Sequence, residues 1–116
     1  WSKNRLIDGE PEYDILIYVA NWPASRRNVW NTLLKARAIE NQCFVLGVNR
    51  IGTDGNGIKY CGDSALIDPR GNLVAMAHEN EEGVITVEIS LDELKKFRKK
   101  FPVWLDADPF KLLSGN

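Results

Sequence analysis

The chain has 116 residues, of which 44% are hydrophobic, 27% charged and 9% aromatic, the mixture of a globular domain and not of a disordered or fibrous one. Fifteen Lys and Arg against sixteen Asp and Glu leave a formal charge of -1, so no basic excess is available for a nucleic-acid backbone or an anionic membrane surface. The longest apolar run, from Ile15 to Ala20, falls far short of the ~20 residues that cross a bilayer, and two cysteines cannot build a disulfide framework, so a cytoplasmic protein is expected.

Residues Asp14 to Ala20 are apolar at both alternating sets of positions, which predicts a strand covered on both faces. Asn21 to Ser25 has turn chemistry, and Ser25 is the predicted N-cap of a helix from about Arg26 to Asn41. Val29, Leu33, Ala36 and Glu40 recur at helical spacing, flanked by Trp30, Leu34 and Ile39, and predict the face that packs on a sheet. That stripe turns Glu40 toward the sheet. A buried or half-buried carboxylate held by donors such as Arg37 is therefore preferred to a surface ion pair, because an unpaired buried charge is costly. Cys43 to Asn49 reads as a second apolar strand, and strand, helix, strand in this order implies a right-handed parallel crossover.

Gly52, Gly55 and Gly57 with Asp54 and Asn56 make a loop between strands. A phosphate-binding reading fails because no helix follows the glycines, and a calcium reading fails because Ile58 and Tyr60 stand where oxygen ligands are needed. Ser64 to Asp68 and Asn72 to Ala77, separated by Pro69, Arg70 and Gly71, predict a hairpin. Val84 to Ile89 alternates as a half-exposed strand, and Ser90 with Glu93 forms a capping box for a short charged helix to about Lys100. The tail from Phe101 to Phe110 is too apolar to be left in water.

Two strands apolar on both faces need helices on both sides, yet the sequence offers one long helix and one short one, so half of the covering is missing. The chemistry is equally incomplete. Cys43 begins an apolar strand and reads as a buried hydrophobe, Cys61 has no partner in sequence, and His78, the only histidine, sits in a polar stretch. No metal site or cofactor is expected from this set.

Four motifs occur in order: Val19 to Pro23 (VANWP), Ala36 to Gln42 (ARAIENQ), Val48 to Gly57 (VNRIGTDGNG) and Gly62 to Gly71 (GDSALIDPRG). Together they closely resemble the C-terminal half of the carbon-nitrogen hydrolases of the nitrilase superfamily, nearest to the bacterial ω-amidases. The resemblance implies an α/β fold, half of an α-β-β-α sandwich whose mixed sheet carries one long and one short helix. It also implies an amidase working through a glutamate, a lysine and a cysteine, all upstream of Trp1, with Trp1 to Asn4 following the family's nucleophile turn. Asn21, Trp22 and Pro23 would then wall a pocket for a small amide such as 2-oxoglutaramate. Arg37, Glu40, Asn41, Gly62, Asp63 and Ser64 would serve as structural support, and a homodimer is implied. The competing reading is a non-catalytic interaction module built on the half-fold, with the tail aromatics as its contact.

Overall fold

The computed structural model describes residues 3–111 and 113–115. Trp1 and Ser2, the start of the segment likened to the sequence just after the nucleophile turn, lie outside them. Leu6–Ile7 (β1) and Glu10–Pro11 (β2) form a small hairpin that the sequence reading did not anticipate. Its turn residues Asp8 and Gly9 both take positive φ, as a two-residue hairpin turn demands.

Ile15–Ala20 (β3), Arg27–Asn41 (α1) and Phe44–Asn49 (β4) are the expected parallel crossover, with Ile15 opposite Phe44 and Ala20 opposite Asn49. Ile51–Thr53 (β5) and Lys59–Cys61 (β6) pair as a separate hairpin whose turn is the glycine-rich loop. There Asp54 accepts hydrogen bonds from the backbone N–H of Asn56 and Ile58 and from the Tyr60 hydroxyl, which holds its carboxyl below the usual range. Ala65–Ile67 (β7) and Leu73–Met76 (β8) are the predicted second hairpin, completing a mixed sheet of order β3-β4-β7-β8. Leu91–Lys100 (α2) begins where expected, with the Ser90 hydroxyl accepting from the Glu93 N–H at 3.2 Å.

The core lies between α1 and one face of the sheet, where Trp30, Leu34 and Ala38 meet Cys43, Val45, Ala65 and Ile67. Gly47 lets the helix come this close. A Cβ there would sit 2.6 Å from Leu34 and 2.7 Å from Trp30.

Several expectations need correction. The helix is not capped by Ser25, because Ala24–Arg26 forms a 3-10 turn after Pro23 and α1 starts with no side-chain cap. Its buried face is Trp30, Leu34, Ala38 and Asn41, about one residue round from the predicted stripe, and Val29 and Leu33 are exposed. Glu40 accordingly points to solvent, with a side chain 53% exposed, and forms the surface ion pair with Arg37 at 2.8 Å.

β3 is covered on one face only: Leu16, Tyr18 and Ala20 pack toward α1, whereas Ile17 and Val19 are 57% and 84% exposed. Val84 to Ile89 forms no strand. It runs without regular pairing opposite the bare face, enclosing with Ile15, Ile17, Leu46 and Val48 a cleft of about 880 Å³. The tail is mostly exposed too, with only Pro102 and Trp104 half-buried around a short 3-10 turn at Val103–Asp106. The result is a slab of 46 × 44 × 19 Å. Among the described residues no helix is long and apolar enough to cross a membrane.

α2 is anchored by Leu94 and Arg98, both buried. Arg98 donates to the Gln42 carbonyl at 2.8 Å, the Tyr13 carbonyl at 3.0 Å and the Asp14 carboxylate at 2.5 Å. Gln42 returns a bond from its side-chain amide to the Phe101 carbonyl at 2.8 Å.

Candidate functional site

Parallel pairing places the C-terminal ends of β3 and β4 side by side, the end at which open α/β sheets gather functional groups. The chain leaving β3 there is Asn21, Trp22 and Pro23. Asn21 is exposed, while Trp22 and Pro23 are half-buried. The indole of Trp22 lies on the α1 side, 5.8 Å from the Trp30 ring, and its Nε1–H donates to the Arg26 carbonyl at 2.7 Å.

Asn49, the last residue of β4, faces this loop. Its side-chain Oδ1 accepts the Trp22 N–H at 2.8 Å, and its Nδ2 donates to the Trp22 carbonyl at 3.0 Å and the Gly62 carbonyl at 2.8 Å. Ser64 clamps the backbone of the same residue: its Oγ accepts the Asn49 N–H at 2.9 Å and donates to the Asn49 carbonyl at 3.2 Å.

Asp63, between Gly62 and Ser64, is 1% exposed and sits at φ 57°, a region open to short polar side chains. Its carboxylate receives both Arg27 Nε at 3.0 Å and Nη2 at 2.8 Å, with Asn31 Nδ2 at 3.3 Å, and its carbonyl accepts Trp30 Nε1–H at 2.9 Å. Arg27 also reaches Glu79 at 2.8 Å. The start of α1 is thus pinned to the turn that precedes β7.

The sequence-selected residues fall into two groups. Asn21, Trp22, Pro23, Gly62, Asp63 and Ser64 come together at the C-terminal end of β3 and β4, whereas Arg37, Glu40 and Asn41 belong to the last turns of α1, beside the start of β4. Trp22 and this second group still share a wall. A cleft of about 740 Å³ runs along the α1 side of β3 from Trp22 and Trp30 to Arg37, Glu40 and Asn41. Asn41 Oδ1 accepts the Asn4 N–H at 2.9 Å, tying the N-terminal segment to the helix end. Sequence reasoning missed Asn49, Arg27 and Asn31. A polar residue closing an apolar strand was the available signal for Asn49, and the i,i+4 spacing of Arg27 and Asn31 on one helix face was the signal for that pair.

The model of the family described as carbon-nitrogen hydrolase matches residues 3–99. The chain belongs to the carbon-nitrogen hydrolases. It is 49% identical over 112 residues to the omega-amidase YafV of Escherichia coli K12, covering 97% of this chain and 42% of that protein. It is 41% identical over 106 residues to the 2-oxoglutaramate amidase of Bacillus subtilis 168, covering 91% and 39%. Among solved structures, a CN-hydrolase superfamily protein of Xanthomonas campestris with an arsenic adduct in its active site superposes with a TM-score of 0.91. It shares 46% identity over 96% of this chain and 43% of that one. The chain therefore spans less than half the length of the curated relatives it matches.

In this carbon-nitrogen hydrolase chain neither thiol is poised to attack. Cys43 is fully buried, and burial pushes its pKa up to about 12. Cys61, buried at the end of β6, is also raised, again mainly by burial. A nucleophilic cysteine needs the opposite shift, toward thiolate at neutral pH. His78 is exposed, and among the described residues no three His, Cys, Asp or Glu side chains are grouped to hold a metal ion.

Proposed function

We propose that this chain is the scaffold-bearing part of a cysteine-dependent amidase that hydrolyses the C–N bond of small ω-amides resembling 2-oxoglutaramate, giving a carboxylate and ammonia. The observation that carries this reading is the 49% identity, over 97% of the chain, to a protein named an omega-amidase. The burial of Cys43 and Cys61 supports a nucleophile located outside these 116 residues, and the resemblance implies that its glutamate and lysine lie there too. In such a site a thiolate attacks the amide carbonyl, lysine and a backbone N–H hold the oxyanion, and glutamate passes a proton to departing ammonia. Water then cleaves the thioester.

This chain contributes Asn21, Trp22 and Pro23 as one pocket wall. Asn41, Gly62, Asp63 and Ser64 act as structural support while Arg37 and Glu40 form only a surface pair, the protein is a cytoplasmic homodimer, and no cofactor takes part. The test is ammonia release from 2-oxoglutaramate by the full-length protein and by this chain alone. The full-length protein is active and the isolated chain is not. Activity in the isolated chain that disappears on Cys61→Ala overturns the reading.

A further inference from the structure

We propose that Asn49 is a positioning residue for this hydrolysis, its side-chain amide holding Trp22 and its loop in place as the pocket wall. The inference rests on the amidase reading above, which puts that loop against substrate. Backbone pairing between β3 and β4 ends at Ala20 and Asn49. Trp22 lies two residues beyond, where β4 has no further residue to offer it, and Pro23 after it has no N–H to donate.

The Asn49 carboxamide replaces the missing strand. Its acceptor takes the Trp22 N–H, one hydrogen of Nδ2 goes to the Trp22 carbonyl, and the other goes to Gly62. One acceptor and two donors in a single plane belong to a primary amide alone. Aspartate of the same shape offers no donor, and glutamine is one methylene too long for a backbone already fixed by Ser64. All three polar positions of the side chain are therefore used on the loop after β3 and the turn before β7. Two of these bonds fix the Trp22 backbone, and the indole it carries is tied in turn by its Nε1–H to the Arg26 carbonyl. A displacement of about 1 Å in a substrate-positioning group can cost a hundredfold in rate.

The experiment uses the full-length protein and Asn49→Asp, which removes both donated bonds and sets a charge against two carbonyl oxygens. The expected result is a fall of tenfold or more in kcat/KM for a short ω-amide, carried mainly by KM. Amide exchange in the peptide covering residues 20–23 should speed up at least tenfold. In a Trp22→Ala background the same substitution costs less than a further twofold, because it acts through Trp22. Asn49→Gln, which keeps the amide, gives an intermediate loss and stands in if the aspartate variant does not fold. Faster exchange with unchanged kinetics overturns the positioning role, and so do losses from Asn49→Asp and Trp22→Ala that simply multiply. Wild-type protein that hydrolyses no ω-amide overturns the amidase reading itself, and the positioning role falls with it.

Discussion

Arg98 and Asp14 are 84 residues apart in sequence, yet the guanidinium of the first lies 2.5 Å from the carboxylate of the second. The arginine is 6% exposed and the aspartate 40%, so the pair spans the boundary between interior and solvent. Arg98→Ala takes the side-chain donor from the Gln42 carbonyl and the counter-charge from Asp14, and leaves the Tyr13 carbonyl to Asn4 Nδ2. A fully buried pair broken on one side costs about 3–5 kcal/mol, and the partial hydration of Asp14 reduces the expected loss to about 2–3 kcal/mol. Urea midpoints read this directly. Arg98→Lys, which keeps the charge but not the fork, should recover about half of it.

Asp63 and Glu40 are both carboxylates paired with an arginine, but only one is buried. Asp63→Asn preserves shape at a tolerated φ and removes the buried one of the two carboxylates that pair with Arg27, leaving only the exposed Glu79, for a loss of about 2 kcal/mol. Glu40→Gln should change stability by less than about 0.5 kcal/mol, as a solvated ion pair does. Equal losses from the two variants would contradict the burial assigned to each.

Gly47→Ala inserts a methyl where Leu34 and Trp30 already touch the strand. Overpacking at a helix-sheet contact costs about 1–3 kcal/mol. Adding Leu34→Ala should then cost less than Leu34→Ala does in the native background, since the added methyl fills part of the space. Chemical denaturation of the four proteins gives the coupling.

Burial pushes the Cys43 thiol up from the ordinary 9.0 to about 12. A raised folded-state value stabilises the fold below the ordinary pKa and loses that stabilisation as pH climbs through the raised one. Stability should decline between pH 9 and 12 with a contribution from this group of at most about 1.4 kcal/mol per pH unit. Cys43→Ala should flatten that part of the profile. A thiol reagent at pH 8 should label neither Cys43 nor Cys61 until urea is added.

The crossover unit was legible because its signals are local: apolar runs, a helical period and a short connection. The rotation of α1 was not. Val29 and Leu33 are as apolar as their neighbours Trp30 and Leu34, and what decides between the stripes is a distant partner, the Asp63 carbonyl that receives the Trp30 N–H. Val84 to Ile89 has the alternation of a strand, but a strand also needs a backbone to pair with, and among the described residues none pairs with it. Arg98 was hidden in a charged helix because its acceptors are residues 13, 14 and 42. Asn49 was hidden in the same way, since two loops give its side chain meaning.

The thin slab has a calorimetric consequence. A monomeric protein of 13.1 kDa ordinarily exposes roughly 6,400 Å². This chain exposes 8492 Å², with Ile17, Val19 and Val84 among the apolar residues left in water. The excess is of the order of the surface that a large obligate interface removes from one partner. Heat capacity rises on unfolding in proportion to the apolar surface newly hydrated, and here much of it is hydrated beforehand. The isolated chain should therefore melt with a heat-capacity step below the usual ~12–15 cal/mol/K per residue, in a broad transition. Covering the bare face of β3 should steepen that transition and enlarge the step.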